Sequence, residues 1–352
     1  MDTEVLRLEA SCSPEQLENA LKPAAEILKN GGLVVFPTET VYGLGADATN
    51  AQAAKKIYEA KGRPSDNPLI IHISTPEGAE PYAFTSEVYY RLAERFMPGP
   101  LTVVMPAKES VPLATRGGLS TVAVRCPENI VANKLISLVG KPIAAPSANL
   151  SGSPSPTSAE HVIADMLGRV DMIVDGGECD FGLESTIVKI EEDGSLTLLR
   201  PGRITPEELC LVAEVKISSA VLRELGEGET AESPGMKYKH YAPASEFVLL
   251  DGDNEKSLKY IKNKEKTGQN VAIFAYSNDV ERFGKELPDA RVYDIGALGD
   301  ALTQAHRLFA LLRLADSEGA RIIYAPLPER NGISLALYNR MIRAAAHKII
   351  KL

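Results

Sequence analysis

The sequence is poor in residues that build disulfide frameworks and zinc sites. Its four cysteines are scattered, and no two of them have the C-x-x-C spacing. We therefore expect reduced thiols rather than disulfides or a zinc centre. The motif H-E-x-x-H, the EF-hand loop and the phosphate-binding motif G-x-x-x-x-G-K-[ST] are also absent. The sequence thus predicts no metal held by protein side chains alone.

Long apolar runs are missing as well. None approaches the roughly 18 to 20 residues that a membrane-spanning helix needs. The first residues carry charges at Asp2, Glu4 and Arg7, unlike a secretory signal. These features predict a cytoplasmic protein without a membrane partner.

Positive charge is scarce. The net charge is −9, and residues 1–215 hold 18 Lys and Arg against 29 Asp and Glu. A protein that binds nucleic-acid backbones usually carries a basic face. The acidic balance therefore argues against broad RNA or DNA binding, although it leaves room for a local basic cleft that binds a small anion.

The length of 352 residues predicts two domains. Residues 1–215 combine hairpin-like strands with helical crossovers, which indicates an α/β (α+β) domain with a mixed sheet. Residues 216–245 are rich in Gly, Glu, Ser and Pro and have the composition of a linker. Residues 246–352 alternate strands with helices, which is typical of a smaller parallel α/β domain.

Local signals place the individual elements. Ser13 and Asn50 are expected to cap helices that end at Gly31 and Gly62. Apolar runs predict strands in the first domain at Glu4 to Leu8, Leu33 to Phe36, Leu69 to Ile73, Leu101 to Met105, Val122 to Arg125 and Ile143 to Ala145, with a hairpin of Glu184 to Ile190 and Ser195 to Leu199. The second domain is expected to hold strands at Phe247 to Leu250, Val271 to Phe274, Val292 to Ile295 and Ile322 to Ala325, with helices at Glu255 to Lys264, Leu298 to Ala315 and Leu335 to Ile350.

The stretch FPTETVYGLGADA, Phe36 to Ala48, admits three interpretations. Its glycines come near the dinucleotide fingerprint, but that motif needs a helix that opens at the glycines, and here the helix starts after Asn50. A tight polar loop is the second interpretation. The third is a substrate-binding loop in which Thr38 and Thr40 offer hydroxyls and the glycines let the backbone approach a ligand.

The stretch KGRPSDNPLIIHI follows a helix end. Lys61 could simply complement the helix dipole. Arg63 and Asn67 instead stand in a loop that two prolines fix, which suits the binding of a phosphate. His72 is either a satisfied core histidine or a group that points into a cleft, because strand alternation places it opposite its apolar neighbours.

Other polar groups occur at strand ends. Arg125 is either solvated or a clamp for a carboxylate. The loop AAPSANLSGSPS, with Ser147 and Asn149, could surround phosphates, whereas a serine nucleophile lacks the G-x-S-x-G motif. The hairpin would bring Ser185 and Arg200 to the same open end, unless Arg200 is a solvated strand end.

Four motifs in this order resemble those of one family. The motifs PTETVYGLG, K-x-R at Lys61 and Arg63, S-x-N at Ser147 and Asn149, and PGMKYKHYAP are similar to those of the YrdC-like threonylcarbamoyl-AMP synthases, in the long form with a Sua-type C-terminal domain. The resemblance covers nearly the whole chain. It implies a YrdC-like twisted mixed sheet with flanking helices and a Rossmann-like parallel C-terminal domain.

The resemblance also implies an activity and a set of site residues. The family is a nucleotidyltransferase that makes L-threonylcarbamoyl-AMP and pyrophosphate from L-threonine, bicarbonate and ATP, for N6-threonylcarbamoyladenosine at position 37 of tRNA. Lys61 and Arg63 are the implied catalytic residues. By resemblance, Thr40, His72, Arg125, Ala145 and Ser185 surround L-threonine, and Lys61, Arg63, Asn67, Thr121, Ser147, Asn149, Ser155, Arg200, Tyr238 and His240 surround ATP.

Partners follow from the same resemblance. Mg²⁺ is expected on the phosphates of ATP, and a downstream tRNA threonylcarbamoyl transferase complex is expected to take the product. The segment Pro234 to Pro243 is interpreted as a lid, because an enclosed site would protect a labile carbamate from water. An RNA-binding module and a carbamoyl-adenylate-forming enzyme with another acceptor are the alternatives.

Overall fold

A computed structural model describes residues 2–9, 12–223, 240–264 and 270–352. The chain divides into two compact units. The first comprises Met1–Ser151 with Ser155–Tyr238, and the second comprises Gly152–Pro154 with Lys239–Leu352. The α/β fold class expected from the sequence is confirmed in both units.

The described residues of the first unit form eleven strands in one sheet, in the order β1-β8-β2-β3-β7-β4-β6-β5-β9-β10-β11. Neighbouring strands run parallel in some pairs and antiparallel in others, so the sheet is mixed, as predicted. The strands are β1 (Glu4–Arg7), β2 (Val34–Phe36), β3 (Gly43–Asp47), β4 (Ile70–His72), β5 (Leu101–Pro106), β6 (Thr121–Arg125), β7 (Ile143–Ala144), β8 (Met172–Asp175), β9 (Thr186–Ile190), β10 (Leu196–Arg200) and β11 (Val215–Ile217).

The helices of this unit begin and end at clear signals. Ser13 forms a capping box with Gln16, and Gly62 ends the second helix in the left-handed region at φ +62°. The first helix packs its apolar face, with Leu21 and Leu28, against a core that includes Ile136. The helices are α1 (Pro14–Lys29), α2 (Ala51–Lys61), α3 (Glu87–Phe96), α4 (Leu113–Arg116), α5 (Ile130–Val139), α6 (Ala159–Met166) and α7 (Pro206–Leu209).

Strand β3 corrects the interpretation of the glycine-rich stretch. Its residues Gly43–Asp47 pair antiparallel with β2, and α2 starts only at Ala51, so the dinucleotide interpretation is wrong. Glycine is required at position 45 because a Cβ there would lie 2.7 Å from Cε1 of Phe36 and 2.9 Å from Cγ2 of Ile143. The glycines therefore allow a buried strand to pack closely, rather than opening a helix.

The described residues of the second unit form a five-stranded parallel sheet, in the order β14-β13-β15-β12-β16. The strands are β12 (Glu246–Asp251), β13 (Val271–Tyr276), β14 (Arg291–Gly296), β15 (Ile322–Pro326) and β16 (Ile349–Lys351). The helices are α8 (Asn254–Lys264), α9 (Val280–Glu286), α10 (Ala301–Ser317) and α11 (Ser334–Ala344). The parallel α/β architecture predicted for this part of the chain is confirmed.

Two elements end differently from the sequence prediction. The helix expected from Leu335 to Ile350 stops at Ala344, because Ala346 and His347 have positive φ angles of 45° and 59°, and the last residues form strand β16. Strand β11 pairs with β10, so the sheet extends into the first residues of the segment expected to be a linker. Among the described residues, no helix is long and apolar enough to cross a membrane.

Candidate active site

Three polar side chains form a row across neighbouring strands of the first sheet. His72 on β4 and Thr102 on β5 are both register partners of Arg125 on β6. Partners in register point to the same face of a sheet. All three residues are buried. The sequence predicted His72 and Arg125 for one site, and the structure makes them direct neighbours.

Arg125 is not solvated. Its Nη2 donates to Oε1 of Glu39 at 2.6 Å, and the two side chains are only 5% and 8% exposed. Its Nε is buried and has no hydrogen-bond partner among the described residues. A buried donor without a partner costs free energy, so this edge of the guanidinium is suited to an anion.

The His72 side chain is buried. Its ring meets Phe36 edge-on with centroids 6.4 Å apart, and its Nδ1 lacks a partner within the described part of the chain. Burial lowers the pKa of His72 to about 3, and the charge of Arg125 adds to this effect. The imidazole is therefore neutral at physiological pH and can donate one hydrogen bond and accept another.

Ser185 joins the row from the position just before β9, the strand next to β5. Its Oγ lies 2.8 Å from Oγ1 of Thr102. Arg200 donates from Nη2 to the same Oγ at 3.1 Å and from Nε to the Ser185 carbonyl at 3.0 Å. The sequence predicted Ser185 and Arg200 at one end of the hairpin, which is confirmed, and Arg200 is buried rather than a solvated strand end.

Backbone hydrogen bonds tie Thr40 and Ala145 to the segments that lead to Ser185 and His72. The Thr40 carbonyl accepts from the Gly182 N–H at 3.1 Å, three residues before Ser185. The Ala145 N–H donates to the Ile70 carbonyl at 2.9 Å, two residues before His72. The five residues predicted for the amino acid are therefore linked by short segments of backbone and by strand register.

The K-x-R and S-x-N motifs meet through Lys61. Its Nζ donates to the main-chain carbonyls of Ser147 and Asn149, and the Ser151 N–H donates to the Lys61 carbonyl at 2.9 Å. The Ser147 hydroxyl in turn bonds Oδ1 of Asn149. Lys61 is only 2% exposed, so it does more than complement the dipole of α2.

Arg63 stabilises its own loop with two hydrogen bonds. Its Nε donates to the Asn67 carbonyl at 3.3 Å and its Nη2 to the Pro68 carbonyl at 3.1 Å. The Tyr58 hydroxyl donates to the same Asn67 carbonyl. Arg63 and Asn67 are buried, so the loop between the two prolines is held from both sides.

Ser155 and Thr121 differ in their surroundings. Ser155 is fully buried and its hydroxyl donates to the carboxylate of Glu184, the neighbour of Ser185. Thr121 starts β6, pairs with Pro106 and is half-buried. Four residues of strand, about 13 Å, separate it from Arg125. The bond to Glu184 therefore ties Ser155 to the residue that precedes Ser185. No described hydrogen bond links Thr121 to Ser185 or Arg200.

Comparisons with known proteins decide the family. The Sua5/YciO/YrdC family model, described as telomere recombination, matches residues 26–202. A second model, described as the C-terminal domain of threonylcarbamoyl-AMP synthase, matches residues 204–346. The threonylcarbamoyl-AMP synthase of Pyrococcus abyssi is 45% identical over 339 residues, which are 94% of this chain and 95% of that protein. This chain belongs to the threonylcarbamoyl-AMP synthase family.

Other members of the threonylcarbamoyl-AMP synthase family match over a similar length. The Bacillus subtilis protein is 41% identical and the match covers 93% of each chain. The Schizosaccharomyces pombe protein is 35% identical over 96% of this chain and 90% of its own. The crystal structure of P. abyssi Sua5 complexed with L-threonine has 41% identity, a TM-score of 0.88 and full coverage of both chains. The resemblance drawn from the four motifs is confirmed.

The last family motif lies partly beyond the described residues. Tyr238 and most of the segment Pro234 to Pro243, interpreted as a lid, fall outside them. His240 belongs to the second unit, where its ring lies 5.5 Å from that of Tyr241. The Tyr241 ring stacks on Phe309 at 5.3 Å within the same unit.

Three polar residues that hold the site together were not predicted from the sequence. Glu39 pairs with Arg125, Thr102 bonds Ser185, and Glu184 bonds Ser155. Glu39 stands inside the PTET motif and Glu184 precedes Ser185, so proximity to a motif was the available signal for both. Thr102 is a polar residue in an otherwise apolar strand, which was the signal there.

Within the described residues, no group of three or more His, Cys, Asp and Glu side chains could hold an ion. The cations Lys61 and Arg63 and the donors of the S-x-N loop suit phosphate oxygens instead.

Proposed function

We propose that this protein forms L-threonylcarbamoyl-AMP and pyrophosphate from L-threonine, bicarbonate and ATP, as a nucleotidyltransferase. The observation that carries the proposal is the similarity to the P. abyssi threonylcarbamoyl-AMP synthase, which spans 94% of this chain. The clustering of His72, Arg125 and Ser185 on one sheet face supports it, because the site then offers a buried cation for a carboxylate.

The amino-acid site is proposed to comprise Thr40, His72, Arg125, Ala145 and Ser185. The substrate carboxylate would pair with the Nε edge of Arg125, whose hydrogen-bonding capacity Glu39 does not exhaust. His72 stays neutral there, so it adds no second positive charge and can exchange hydrogen bonds with the carbamate.

The nucleotide site is proposed to comprise Lys61, Arg63, Asn67, Thr121, Ser147, Asn149, Ser155 and Arg200, with Tyr238 and His240 as further candidates. Lys61 already lies against the S-x-N loop, because the Ser147 and Asn149 carbonyls accept from its ammonium. Such a group can neutralise charge on a transferring phosphoryl group. Mg²⁺ carried by the phosphates of ATP belongs to the same proposal.

The reaction needs positioning more than acid–base chemistry. The threonine amine takes up the carbon of bicarbonate with loss of water and becomes a carbamate. A carbamate oxygen then attacks the α-phosphorus of ATP, and the bond to pyrophosphate breaks. The chain would contribute by orienting both substrates and by keeping water from the labile carbamate. A downstream tRNA threonylcarbamoyl transferase complex and a cytoplasmic location are further parts of the proposal.

The domain division is proposed in the same terms. Residues 1–215 would carry both substrate sites, 216–245 would connect them to the remainder, and 246–352 would form the C-terminal domain. The sites assigned to L-threonine, and all but two residues of those assigned to ATP, fall within the first of these ranges.

Pyrophosphate release from ATP tests the proposal. We expect release only when both L-threonine and bicarbonate are present. Release that is equally fast with serine or another amine would favour a different acceptor, and release without bicarbonate would contradict carbamate formation. Filter binding with a salt titration tests the RNA-binding alternative, since affinity for RNA backbones falls steeply with salt.

A further inference from the structure

The carboxylate of Glu39 is held from several directions. Glu39 stands between Thr38 and Thr40, whose hydroxyl oxygens are 2.9 Å apart, and it is 6% exposed. One of its oxygens accepts from Nη2 of Arg125 at 2.6 Å, and the other accepts from the Asn129 N–H at 3.3 Å. The carboxylate therefore has both oxygens engaged and little freedom to turn.

The backbone of Glu39 is fixed to the segment that leads to Ser185. Its carbonyl accepts from the Phe181 N–H at 2.9 Å, and the next carbonyl, of Thr40, accepts from the Gly182 N–H at 3.1 Å. The position of the Glu39 carboxylate is thus set by the loop between β2 and β3 and by the segment before β9. Both segments border the row of His72, Arg125 and Thr102.

The N–H donors of Arg125 are only partly used within the described residues. A guanidinium carries five N–H groups in a rigid plane. Glu39 takes one at Nη2, whereas Nε is buried without a partner among the described residues. The neighbour across the parallel register, His72, is neutral and offers no charge to Arg125. Glu39 is therefore the group that fixes the direction of the remaining N–H groups.

We propose that Glu39 is a positioning residue for the amino-acid substrate: it holds the guanidinium of Arg125 so that the Nε edge faces the carboxylate of L-threonine. This inference rests on the proposed function. In this role Glu39 acts through Arg125 rather than on the substrate itself. A purely structural ion pair would stabilise the fold without setting the affinity for threonine.

The substitution Glu39→Gln distinguishes a positioning role from a purely structural ion pair. An amide can accept one hydrogen bond through its oxygen, but its NH₂ group would then face the second donor, either Arg125 or the Asn129 N–H. The guanidinium must therefore turn or lose a partner. The substitution also removes a negative charge that repels the substrate carboxylate, which by itself would tighten binding. The positioning role hence predicts a higher KM for threonine, a purely structural role predicts no change, and loss of charge repulsion alone predicts a lower KM.

Steady-state kinetics of pyrophosphate release by the full chain provide the test. For Glu39→Gln we expect the KM for L-threonine to rise about tenfold or more, because a charge-assisted hydrogen bond is misdirected, while the KM for ATP stays within about twofold. L-Threoninol, which lacks the carboxylate, should compete equally well against wild type and variant. The ratio of the affinity for L-threonine to the affinity for L-threoninol should therefore be smaller in Glu39→Gln than in wild type.

Asp47→Asn is the matched control. Asp47 is also a buried carboxylate of this unit, and it pairs with Nζ of Lys141 at 2.9 Å. Its substitution should lower the melting temperature and leave both KM values unchanged. If Glu39→Gln behaves like this control, lowers the KM for threonine, or raises both KM values equally, the positioning role is wrong.

A second variant covers the case in which Glu39→Gln does not fold. Glu39→Asp keeps the charge but shortens the side chain by one methylene. We expect the KM for threonine to rise less than in Glu39→Gln and the KM for ATP to stay unchanged. An unchanged KM for threonine would overturn the proposal. A wild-type protein without threonine-dependent pyrophosphate release would instead contradict the proposed function, whatever the Glu39 variants do.

Discussion

His72 on β4 lies directly opposite Arg125 on β6 in parallel register, and both side chains are buried. Burial disfavours a charged imidazole and the neighbouring guanidinium adds to this effect, so the pKa of His72 falls to about 3 and the ring stays neutral. The pair therefore offers one fixed cation and one neutral group with two exchangeable hydrogen-bonding sites. This combination suits a substrate that brings a carboxylate and a carbamate.

The low pKa of His72 predicts a stability change in acid. Between pH 6.5 and about 3 the unfolded chain binds a proton at His72 that the native protein does not. The free energy of unfolding should therefore fall by about 1.4 kcal/mol per pH unit as the pH drops through this range. His72→Asn removes the effect. Denaturant unfolding at pH 6.5 and pH 5, followed by circular dichroism, should show a smaller acid loss in the variant, by about 1.6 kcal/mol. Equal losses would contradict the buried neutral imidazole.

Lys61→Ala should abolish adenylate formation while the fold survives. Lys61 is the cation that bonds the carbonyls of the S-x-N loop, and loss of one such charge-stabilising donor typically slows turnover by about 100- to 1000-fold. Lys56 is the matched control, since it lies on the same helix and its Nζ donates to the Gly31 carbonyl at 2.7 Å. Lys56→Ala should keep turnover within about twofold. Normal pyrophosphate release by Lys61→Ala would remove this residue from the catalytic set.

Thr102→Val tests the link between β5 and Ser185. The substitution preserves shape but removes the hydroxyl that lies 2.8 Å from Oγ of Ser185, at a cost of about 1 kcal/mol. We expect kcat/KM for threonine to fall about three- to tenfold. Thr102→Ser keeps the hydroxyl and should restore most of the activity. A serine variant as weak as the valine variant would point to packing rather than to the hydrogen bond.

Gly45→Ala tests the close packing of β3. The new Cβ would lie 2.7 Å from Cε1 of Phe36, and overpacking of this kind costs about 1–3 kcal/mol of stability. Gly284→Ala is the counterpart in helix α9, where a Cβ would meet nothing within 4 Å and alanine should stabilise by about 0.5–1 kcal/mol. Denaturant unfolding measures both. A Gly45→Ala protein as stable as wild type would contradict the packing argument.

Much of the fold could be predicted because its signals are local. Ser13 and Asn50 cap their helices, Gly62 ends the second one, and the continuous apolar run around Ile70 is a buried strand. Strand β3 could not be predicted, because glycines usually mark loops, and here they serve close packing against Phe36. The end of α11 was missed because positive φ values occur at Ala346 and His347, residue types that give no warning.

The candidate site could be predicted only in part, because some of its contacts are local in the sequence and others are not. Strand alternation gave the face of His72 and Arg125, and the hairpin gave the meeting of Ser185 with Arg200. The pairing of Arg125 with Glu39 joins positions 86 residues apart, as does that of Lys61 with the Ser147 carbonyl. Such contacts depend on the order of strands across the sheet, which no local spacing encodes.

If this protein joins L-threonine, bicarbonate and ATP into one adenylate, the carbon of bicarbonate must appear in the nucleotide product. Mass spectrometry of the product formed with ¹³C-labelled bicarbonate tests this. We expect threonylcarbamoyl-AMP that carries the label and is one mass unit heavier than the unlabelled product. A nucleotide product without the label, or no threonine-containing nucleotide at all, would contradict it.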